Sequence, residues 1–214
     1  MKQNRKNIPS ITINRLSIYY RCLEKLGEIE GKKKLKTISS FKIAEMTGMN
    51  PAQVRKDLAY FGEFGKRGIG YPIDNLGREL RKILGLDKEW SIVIAGAGNL
   101  GKALVDYKGF KKRGFNVRGI FDNSPVLIGK KMGNILIYDI NEIEKFIQTE
   151  NVSIGVLVVT AHSAQEVADK MAQGGIKAIL NFTPTHIKLP SDIKIHNVDL
   201  SIELERLTYY LNMW

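Results

Sequence analysis

Cysteine is almost absent from this chain of 214 residues, since Cys22 is the only one. An intrachain disulfide is therefore excluded, and we expect the protein to work in a reducing compartment. No apolar run is long enough to cross a bilayer. The basic residues 1–6 are not followed by an apolar signal core, which argues against secretion. These absences together predict a cytoplasmic protein.

Histidine is scarce as well, with three residues in the chain. His186 and His196 have no spacing typical of a metal site, so we expect no bound metal. Internal repeats and low-complexity tracts are absent from the sequence. A chain of this length buries a core without disulfides and holds one large or two small domains.

Acidic residues are scarce in the N-terminal part of the chain. Residues 1–85 hold 18 Lys and Arg against 8 Asp and Glu, whereas residues 86–214 hold 15 against 14. Nearly all of the formal net charge of +11 therefore belongs to residues 1–85. This concentration indicates a polyanion partner for the N-terminal part, and the alternative is a solvated basic surface.

The first two helices of this basic part are predicted from apolar spacing and from capping residues. Apolar side chains recur every three or four residues over residues 11–27, which predicts an amphipathic helix. Its predicted inner face consists of Ile13, Leu16, Tyr20 and Leu23. A short helix is predicted over residues 41–46, capped by Ser39 or Ser40 and ended by Gly48.

A third helix is predicted to begin at Pro51, where the missing N–H costs nothing, with Asn50 as its cap. It runs to about Tyr60, and its predicted inner face consists of Val54, Leu58 and Phe61. The order helix, short helix, glycine turn and capped helix is that of a helix-turn-helix. The alternative is an ordinary amphipathic helix with a polar outer face.

The outer face of the third helix and the segment after it supply the candidate DNA contacts. Ala52 and Ala59 allow close approach to a duplex. Residues 62–71 are rich in glycine and predict a basic turn with a return strand over residues 69–71, which is the form of a wing. The predicted DNA-binding residues are Gln53, Arg55, Lys56, Tyr60, Lys66, Arg67 and Gly68. Residues 1–85 are thus predicted to form a winged-helix DNA-binding domain.

A glycine-rich segment lies just beyond this domain, whose last predicted helix covers residues 75–84 with Asp74 as cap. Residues 96–101 read Gly-Ala-Gly-Asn-Leu-Gly; they follow an apolar β-type run and precede a helix. A second β-type run, residues 115–121, ends at Asp122. Strand, glycines, helix and acid in this order are the dinucleotide-binding fingerprint.

Each residue of this fingerprint has a physical task. Gly96 permits the tight turn, Gly98 lets the backbone approach a pyrophosphate, and Gly101 lets helix and strand pack closely. The free N–H groups at the helix start hold the pyrophosphate. Asp122 is placed to accept a hydrogen bond from a ribose 2′-OH. The alternative is a glycine turn that only connects a strand to a helix.

The same acid bears on which dinucleotide is bound. A carboxylate at Asp122 would repel a 2′-phosphate, so the sequence favours NAD(H) over NADP(H). Lys130 and Lys131 lie near enough in sequence to weaken this preference.

After Asp122, strands alternate with helices, which predicts a parallel α/β sheet of the Rossmann type over residues 86–199. The further strands are predicted at residues 135–138, 152–160, 177–181 and 193–198. Ser163 and Glu166 form a capping box before one of the helices. Ligands bind such sheets at the carboxyl ends of the strands. The predicted nucleotide-site residues are Gly96, Ala97, Gly98, Asn99, Leu100, Gly101, Asp122, Asn123, Thr160, Ala161, His162, Asn181 and Phe182.

Two other classes of protein compete with a DNA-binding sensor. His162 is the residue that a dehydrogenase would use as its acid–base group, although a polar pocket-lining role is the alternative. No segment is left for a substrate domain, which weighs against an enzyme. A DNA-packaging protein would explain the basic part and would give the Rossmann half no role.

The last helix, residues 200–214, has its apolar residues at spacings of four and three. They are Leu200, Leu204, Leu207, Leu211 and Trp214. This is an a/d seam, but it is too short for a free coiled coil. The helix either covers its own sheet, which the pattern alone favours, or inserts into a partner subunit, since readers of palindromic DNA usually dimerise.

Several segments resemble Rex, the family of bacterial redox-sensing transcriptional repressors. They are residues 53–71, 96–104, 165–169, 175–182 and 197–200, in this order along nearly the whole chain. The resemblance implies a homodimer in which the C-terminal helix is swapped between subunits, with Leu204, Leu207 and Leu211 in the dimer contact. It also implies that the protein is not an enzyme. It would repress genes from palindromic operators, be released by NADH, and bind NAD⁺ without release.

The resemblance also implies a switch. Arg21 and Asp199 match family positions that pair across subunits in one state, whereas their residue types alone indicate a surface cation and a helix cap. Residues 161–163, Ala-His-Ser, depart from the family pattern, in which a Val-Pro pair is common. Because this loop is expected near the nicotinamide, the departure bears most on the preference for NADH over NAD⁺.

Overall fold

The computed structural model describes residues 8–29, 36–66 and 68–213. The chain divides into two compact units, Met1–Lys88 and Glu89–Trp214, a few residues after the predicted boundary near residue 85. The helices are α1 (Ser10–Ile29), α2 (Ser40–Thr47), α3 (Pro51–Ala59), α4 (Ile73–Ile83), α5 (Asn99–Val105), α6 (Lys108–Lys112), α7 (Ile143–Thr149), α8 (Ala164–Gln173) and α9 (Leu200–Leu211). The strands are β1 (Thr37–Ile38), β2 (Tyr71–Pro72), β3 (Trp90–Ala95), β4 (Phe115–Asp122), β5 (Lys131–Met132), β6 (Ile135–Asp139), β7 (Ile154–Leu157), β8 (Ala178–Asn181) and β9 (Lys194–Asn197). Within the described part of the chain, no helix is long and apolar enough to cross a membrane.

The first unit contains the predicted helix-turn-helix, with its caps as expected. The Ser39 hydroxyl accepts a hydrogen bond from the Lys42 N–H at 3.0 Å, and α2 ends at Gly48 with a left-handed φ of 70°. The Asn50 side chain accepts from the Ala52 N–H at 2.8 Å, with Pro51 in the first turn of α3. These caps satisfy N–H groups that a helix start leaves free. The predictions of both helices are confirmed.

The first unit also differs from the sequence prediction at three places. The inner face of α1 is offset, because Tyr19 is fully buried whereas Ile13 is exposed. Asp74 does not cap α4, since it lies inside the first turn and Pro72 precedes the helix. Strand β1, which was not expected, pairs antiparallel with β2 and closes the unit.

The second unit is built on a seven-stranded sheet in the order β5-β6-β4-β3-β7-β8-β9. Every pairing is parallel except that of β5 with β6. Without β5, the strands have the 3-2-1-4-5-6 order of a dinucleotide-binding fold. The predicted parallel Rossmann sheet is therefore confirmed, with an additional antiparallel strand at one edge.

The two faces of this sheet are covered by different helices. Along β3, Val93 and Ala95 belong to the cluster with residues of α7 and α8, whereas Ile92 and Ile94 belong to the cluster with residues of α5 and α6. Burial on both faces explains why β3 is a continuous apolar run rather than an alternating one. The chain turns from one side of β3 to the other between β6 and β7, so a crevice opens at the carboxyl ends of β3 and β7.

Helix α8 does not begin with the predicted capping box. Ser163 precedes the helix with φ −94° and ψ −4°, and its side chain makes no capping hydrogen bond. Its hydroxyl instead lies 3.0 Å from the Thr160 hydroxyl. Glu166 pairs with Lys170 one turn later at 2.9 Å. A capping serine needs an extended backbone, which this turn does not provide.

Helix α9 presents no buried residue in the single chain. Leu204, Leu207 and Leu211 are 64%, 57% and 71% exposed, respectively. The expectation from the apolar pattern alone, that this helix covers its own sheet, is therefore wrong. Trp214, the last residue of the predicted seam, lies outside the described residues.

Candidate nucleotide site and nucleic-acid interface

The glycine loop between β3 and α5 is packed tightly at its ends and open in its middle. Gly96 has φ +109°, and a Cβ there would lie 2.5 Å from the Val158 carbonyl oxygen. A Cβ on Gly101 would collide with the Gly96 carbonyl oxygen. At Gly98, by contrast, no atom lies within 4 Å of a Cβ position. The loop thus offers bare backbone at Gly98, as the approach of a pyrophosphate requires.

Asp122, at the end of β4, is bonded directly to this loop. One carboxylate oxygen accepts from the Ala97 N–H at 2.7 Å, and the other accepts from the Ser124 N–H at 2.8 Å. The sequence predicted the position of Asp122 but not its contact with Ala97. A carboxylate accepts about four hydrogen bonds, so capacity remains for ribose hydroxyls. Asn123 follows Asp122 as an exposed residue.

The start of α5 completes this half of the site. Asn99 and Leu100 are exposed in the first turn, directly after the open Gly98. The first N–H groups of a helix have no partner inside it and attract anions. The glycine loop, Asp122 and the first turn of α5 therefore meet at one end of the crevice.

A polar turn over residues 160–163 follows β7 on the other side of β3. The Ser163 N–H donates to the Thr160 carbonyl at 3.2 Å, which closes the turn. Thr160, Ala161 and His162 are exposed. A hydrogen bond from Lys170 holds the pKa of Glu166 below its usual range, and His162 adds a small electrostatic contribution. The turn therefore presents a hydroxyl and an imidazole to solvent at the carboxyl edge of the sheet.

Asn181, at the end of β8, is occupied by its own loop. It is buried, and its amide nitrogen donates to the Thr183 and Thr185 carbonyls and to Asn197 at 2.9–3.3 Å. Its amide oxygen accepts from the Thr183 N–H at 2.9 Å and from the Thr183 hydroxyl at 2.6 Å. Phe182 packs against the cluster of Ile92, Ile94 and Val156. The Asn181 side chain therefore holds residues 181–185 together, whereas Phe182 packs on the sheet, and the sequence predicted neither contact.

The exposed face of α3 matches the predicted DNA-reading face. Ala52, Lys56 and Ala59 are exposed on it, and Tyr60 is exposed directly after the helix. Arg55 is exposed as well, and its guanidinium donates to the Ser40 hydroxyl at 3.0 Å. Val54 and Leu58 are buried on the opposite face, as expected. The remaining candidate on α3, Gln53, is half-buried and donates to Asp57 at 2.8 Å.

The predicted wing is a tight hairpin. Lys66 and Gly70 exchange two backbone hydrogen bonds of 3.1 and 3.0 Å, and Gly68 at the tip has φ +80°. Lys66 and Gly68 are exposed, whereas Arg67 lies outside the described residues. A groove of about 960 Å³ runs between this hairpin and the helix-turn-helix, with Arg55 and Ile69 in its lining.

A buried ionic cluster behind α3 was not expected from the sequence. Asp57 is fully buried, and its carboxylate accepts two hydrogen bonds from the Arg15 guanidinium at 2.6 and 2.7 Å. The Tyr19 hydroxyl donates to the same carboxylate at 2.9 Å. Burial by itself raises the pKa of Asp57, but the hydrogen bonds from Arg15, Gln53 and Tyr19 outweigh it and lower the pKa. Burial raises the pKa of Tyr19, and its bond to Asp57 adds to this. The sequence signal that could have revealed this cluster was an acidic residue, Asp57, at a position on the inner face of α3.

The two candidate switch residues lie in different units. Arg21 is exposed on α1. Asp199 caps α9 and accepts from the Ser201 N–H at 2.9 Å and from its hydroxyl at 2.6 Å. These bonds with Ser201 lower the pKa of Asp199. In the single chain, Asp199 therefore acts as a helix cap, as its residue type indicated.

Each of the two units is matched by a known protein family. Residues 7–59 match the family described as "Putative DNA-binding protein N-terminus", and residues 87–185 match the CoA binding domain family. The redox-sensing transcriptional repressor Rex of Desulforamulus reducens is 50% identical over 204 residues, which is 95% of each chain.

Solved structures agree with this relationship. The crystal structure of RSP in complex with beta-NAD⁺ and operator DNA has a TM-score of 0.90 at 41% identity, covering 98% of this chain and 94% of that one. RSP in complex with beta-NADH has a TM-score of 0.87 at 40% identity, covering 98% and 96%. With half of its residues identical to a Rex repressor over nearly its full length, the chain belongs to the Rex family of redox-sensing transcriptional repressors.

Proposed function

We propose that this chain is a homodimeric repressor that binds palindromic operator DNA and leaves it when NADH binds the Rossmann unit. The observation that carries the proposal is the presence, in one chain, of an open dinucleotide loop at residues 96–101 and an exposed basic face on α3. The cytoplasm, which holds both operators and pyridine nucleotides, is the proposed site of action. An enzymatic role is not proposed.

The DNA contact is assigned to α3 and the wing. Arg55 and Lys56 are exposed on α3, Tyr60 is exposed directly after it, and these three side chains bind bases or phosphates. Lys66 and Gly68 of the wing reach the backbone or the adjacent minor groove, together with Arg67. Much of the affinity comes from phosphate neutralisation, in line with the positive charge of residues 1–85.

The nucleotide contact is assigned to the crevice at the carboxyl ends of β3, β4 and β7. Backbone of the 96–101 loop binds the pyrophosphate, and Asp122 accepts from the ribose of the adenosine half. Residues 160–163 lie on the other side of β3, beside the nicotinamide half. NADH and NAD⁺ differ in the charge and planarity of this ring, so this turn is where the two states are distinguished. Asn181 and Phe182 act by shaping the neighbouring loop.

The dimer contact is assigned to α9. An exposed helix with three leucines on one stripe is unfavourable in water, and insertion into a partner subunit would bury it. Arg21 of one protomer and Asp199 of its partner would then pair in one of two dimer states. A ligand shifts such an equilibrium only by its different affinity for the two states.

The test is fluorescence anisotropy of the operator duplex used with RSP, titrated with this protein and then with NADH over an NAD⁺ background. We expect release by NADH and retention with NAD⁺ alone. If the protein stays bound to the operator in the presence of either nucleotide, the proposed redox sensing is wrong, whereas the proposed DNA binding is supported.

A second measurement separates a sensor from a dehydrogenase. Under the proposal, NADH absorbance at a fixed protein concentration stays constant with a panel of carbonyl substrates. Steady decay that depends on His162 would favour the enzyme instead.

A further inference from the structure

The buried carboxylate of Asp57 joins the proposed recognition helix to α1. It receives Arg15 Nε at 2.6 Å, Arg15 Nη2 at 2.7 Å and the Tyr19 hydroxyl at 2.9 Å, with the Thr12 hydroxyl at 3.4 Å. All of these donors belong to α1. Asp57 itself is 0% exposed, so it cannot contact a duplex.

Directional bonds add something that the apolar packing of these helices does not supply. Leu16 of α1 lies in one cluster with Val54 and Leu58 of α3, and such contacts are non-directional. A two-point bond between guanidinium and carboxylate has a fixed planar geometry. The Arg15–Asp57 pair therefore defines how α3 is rotated about its own axis against α1.

The same carboxylate also orients a side chain at the edge of the DNA-reading face. Gln53 lies one turn before Asp57 and donates to it through Nε2 at 2.8 Å. An ionised carboxylate only accepts hydrogen bonds, so the amide must turn its NH₂ group inward and its oxygen away from Asp57. Gln53 lies in the first turn of α3, the part of a recognition helix that usually contacts bases.

We propose that Arg15 and Asp57 are positioning residues that set the sequence specificity of the DNA contact without touching DNA. They fix the rotation of α3 and present the Gln53 oxygen as an acceptor for a base amino group. The matching partners in the major groove are adenine N6 and cytosine N4. This inference rests on the proposed operator binding.

The experiment compares specific with non-specific binding. A random duplex library is first selected with the wild-type protein, and its best-bound duplex is then paired with a scrambled duplex of equal length and composition. Both affinities are measured for the wild type, Asp57→Asn and Arg15→Lys, alongside unfolding midpoints and NADH affinity. Arg118→Lys is the matched control, because it weakens an Arg–Glu pair of 2.8 Å in the other unit.

We expect the ratio of specific to scrambled affinity to fall about tenfold in Asp57→Asn and in Arg15→Lys, the scale of one good base contact. Scrambled-duplex affinity, which depends on phosphate contacts, and NADH affinity should stay at the wild-type values. Repeated selection with either variant should relax the preferred base at one position of each half-site. Arg118→Lys should match the wild type throughout.

Three outcomes would overturn the proposal. One is an unchanged ratio of specific to scrambled affinity in a folded variant. If Asp57→Asn does not fold, this outcome is judged from Arg15→Lys, which retains the positive charge. Another is an equal loss of affinity for both duplexes, which would indicate a structural role alone. The third concerns Gln53→Ala and Asp57→Asn, measured singly and combined. If their effects on the ratio of specific to scrambled affinity are fully additive, the two residues do not act together. A wild type that selects no sequence would instead refute the operator binding on which the inference rests.

Discussion

The glycines of the 96–101 loop have different roles, which substitution of single glycines by alanine can distinguish. Gly101→Ala places a Cβ against the Gly96 carbonyl, so we expect a loss of about 1–3 kcal/mol in stability and loss of NADH binding. Gly98→Ala has open space around its Cβ and should fold as the wild type does, yet lose NADH affinity because the methyl occupies the approach of the pyrophosphate.

Thermal unfolding and NADH fluorescence titration measure these two effects. Gly77→Ala, on α4 and also with open space around its Cβ, is the matched control and should leave NADH affinity unchanged. Normal NADH affinity in Gly98→Ala would contradict the assignment of the loop to the pyrophosphate.

The Asp57 pair predicts a particular dependence of stability on pH. Asp57→Asn should lower the free energy of unfolding at neutral pH, because it leaves the half-buried Arg15 guanidinium without its partner charge. The folded-state pKa of Asp57 lies below its ordinary value of 3.8, so its contribution is present above that value and is lost as the pH falls through the folded pKa.

Denaturant titrations should therefore find a constant gap between wild type and Asp57→Asn above about pH 5 and a narrowing gap in stronger acid. A gap that widens in acid would show that the carboxylate does not stabilise the fold in its ionised form.

Lys56 is an exposed cation on α3, to which the proposed function assigns a phosphate or base contact. Lys56→Ala should weaken operator binding and lower the slope of log affinity against log salt by roughly one unit. Lys145→Ala, an exposed lysine on α7, is the control with unchanged slope. Anisotropy over a series of salt concentrations measures both, and a wild-type slope in Lys56→Ala would move the DNA contact off this face.

At the scale of elements, α9 carries the clearest expectation. Leu207→Glu puts a charge in the middle of its apolar stripe and should convert the proposed dimer to a monomer, with at least about tenfold weaker operator binding, because one half-site contact is lost. Glu205→Ala, on the opposite side of the helix, should stay dimeric. Sedimentation analysis decides between them, and a dimeric Leu207→Glu protein would place the dimer contact elsewhere.

At the scale of the whole molecule, the proposed redox response would use the charge of Asp199, which also caps α9. Asp199→Asn keeps an oxygen for the Ser201 N–H and so preserves the cap, whereas it removes the charge that would pair with Arg21. We expect wild-type NADH affinity and dimerisation but weaker release from DNA by NADH. Asp199→Ala should in addition lower the stability of α9, because the cap itself is lost.

Operator release measured beside NADH affinity tests this separation of roles. If Asp199→Asn responds to NADH as the wild type does, the charge has no part in the switch and Asp199 is only a cap.

Features with a local cause were predictable. Asn50, Pro51 and Gly48 define helix ends through bonds to their own neighbours, and the glycines at 96 and 101 are required by the turn that contains them. Asp122 was placed correctly because it ends a strand whose length the apolar run defines. The prediction of a capping box failed at Ser163, although the residue types fit. The turn after β7 holds the Ser163 backbone in a helical conformation, so its side chain does not cap α8.

The local sequence was thus sufficient for the order of the helices, the parallel sheet and the fingerprint loop, because periodicity, capping and glycine conformations act between near neighbours. The contacts of Asp57 with Arg15, of Asp122 with Ala97 and of Asn181 with Asn197 join separate segments of the chain. No periodic pattern encodes such pairs. The exposure of α9 is of the same kind, because an apolar stripe specifies that a helix is to be buried, whereas the folded chain shows that its own sheet does not bury it.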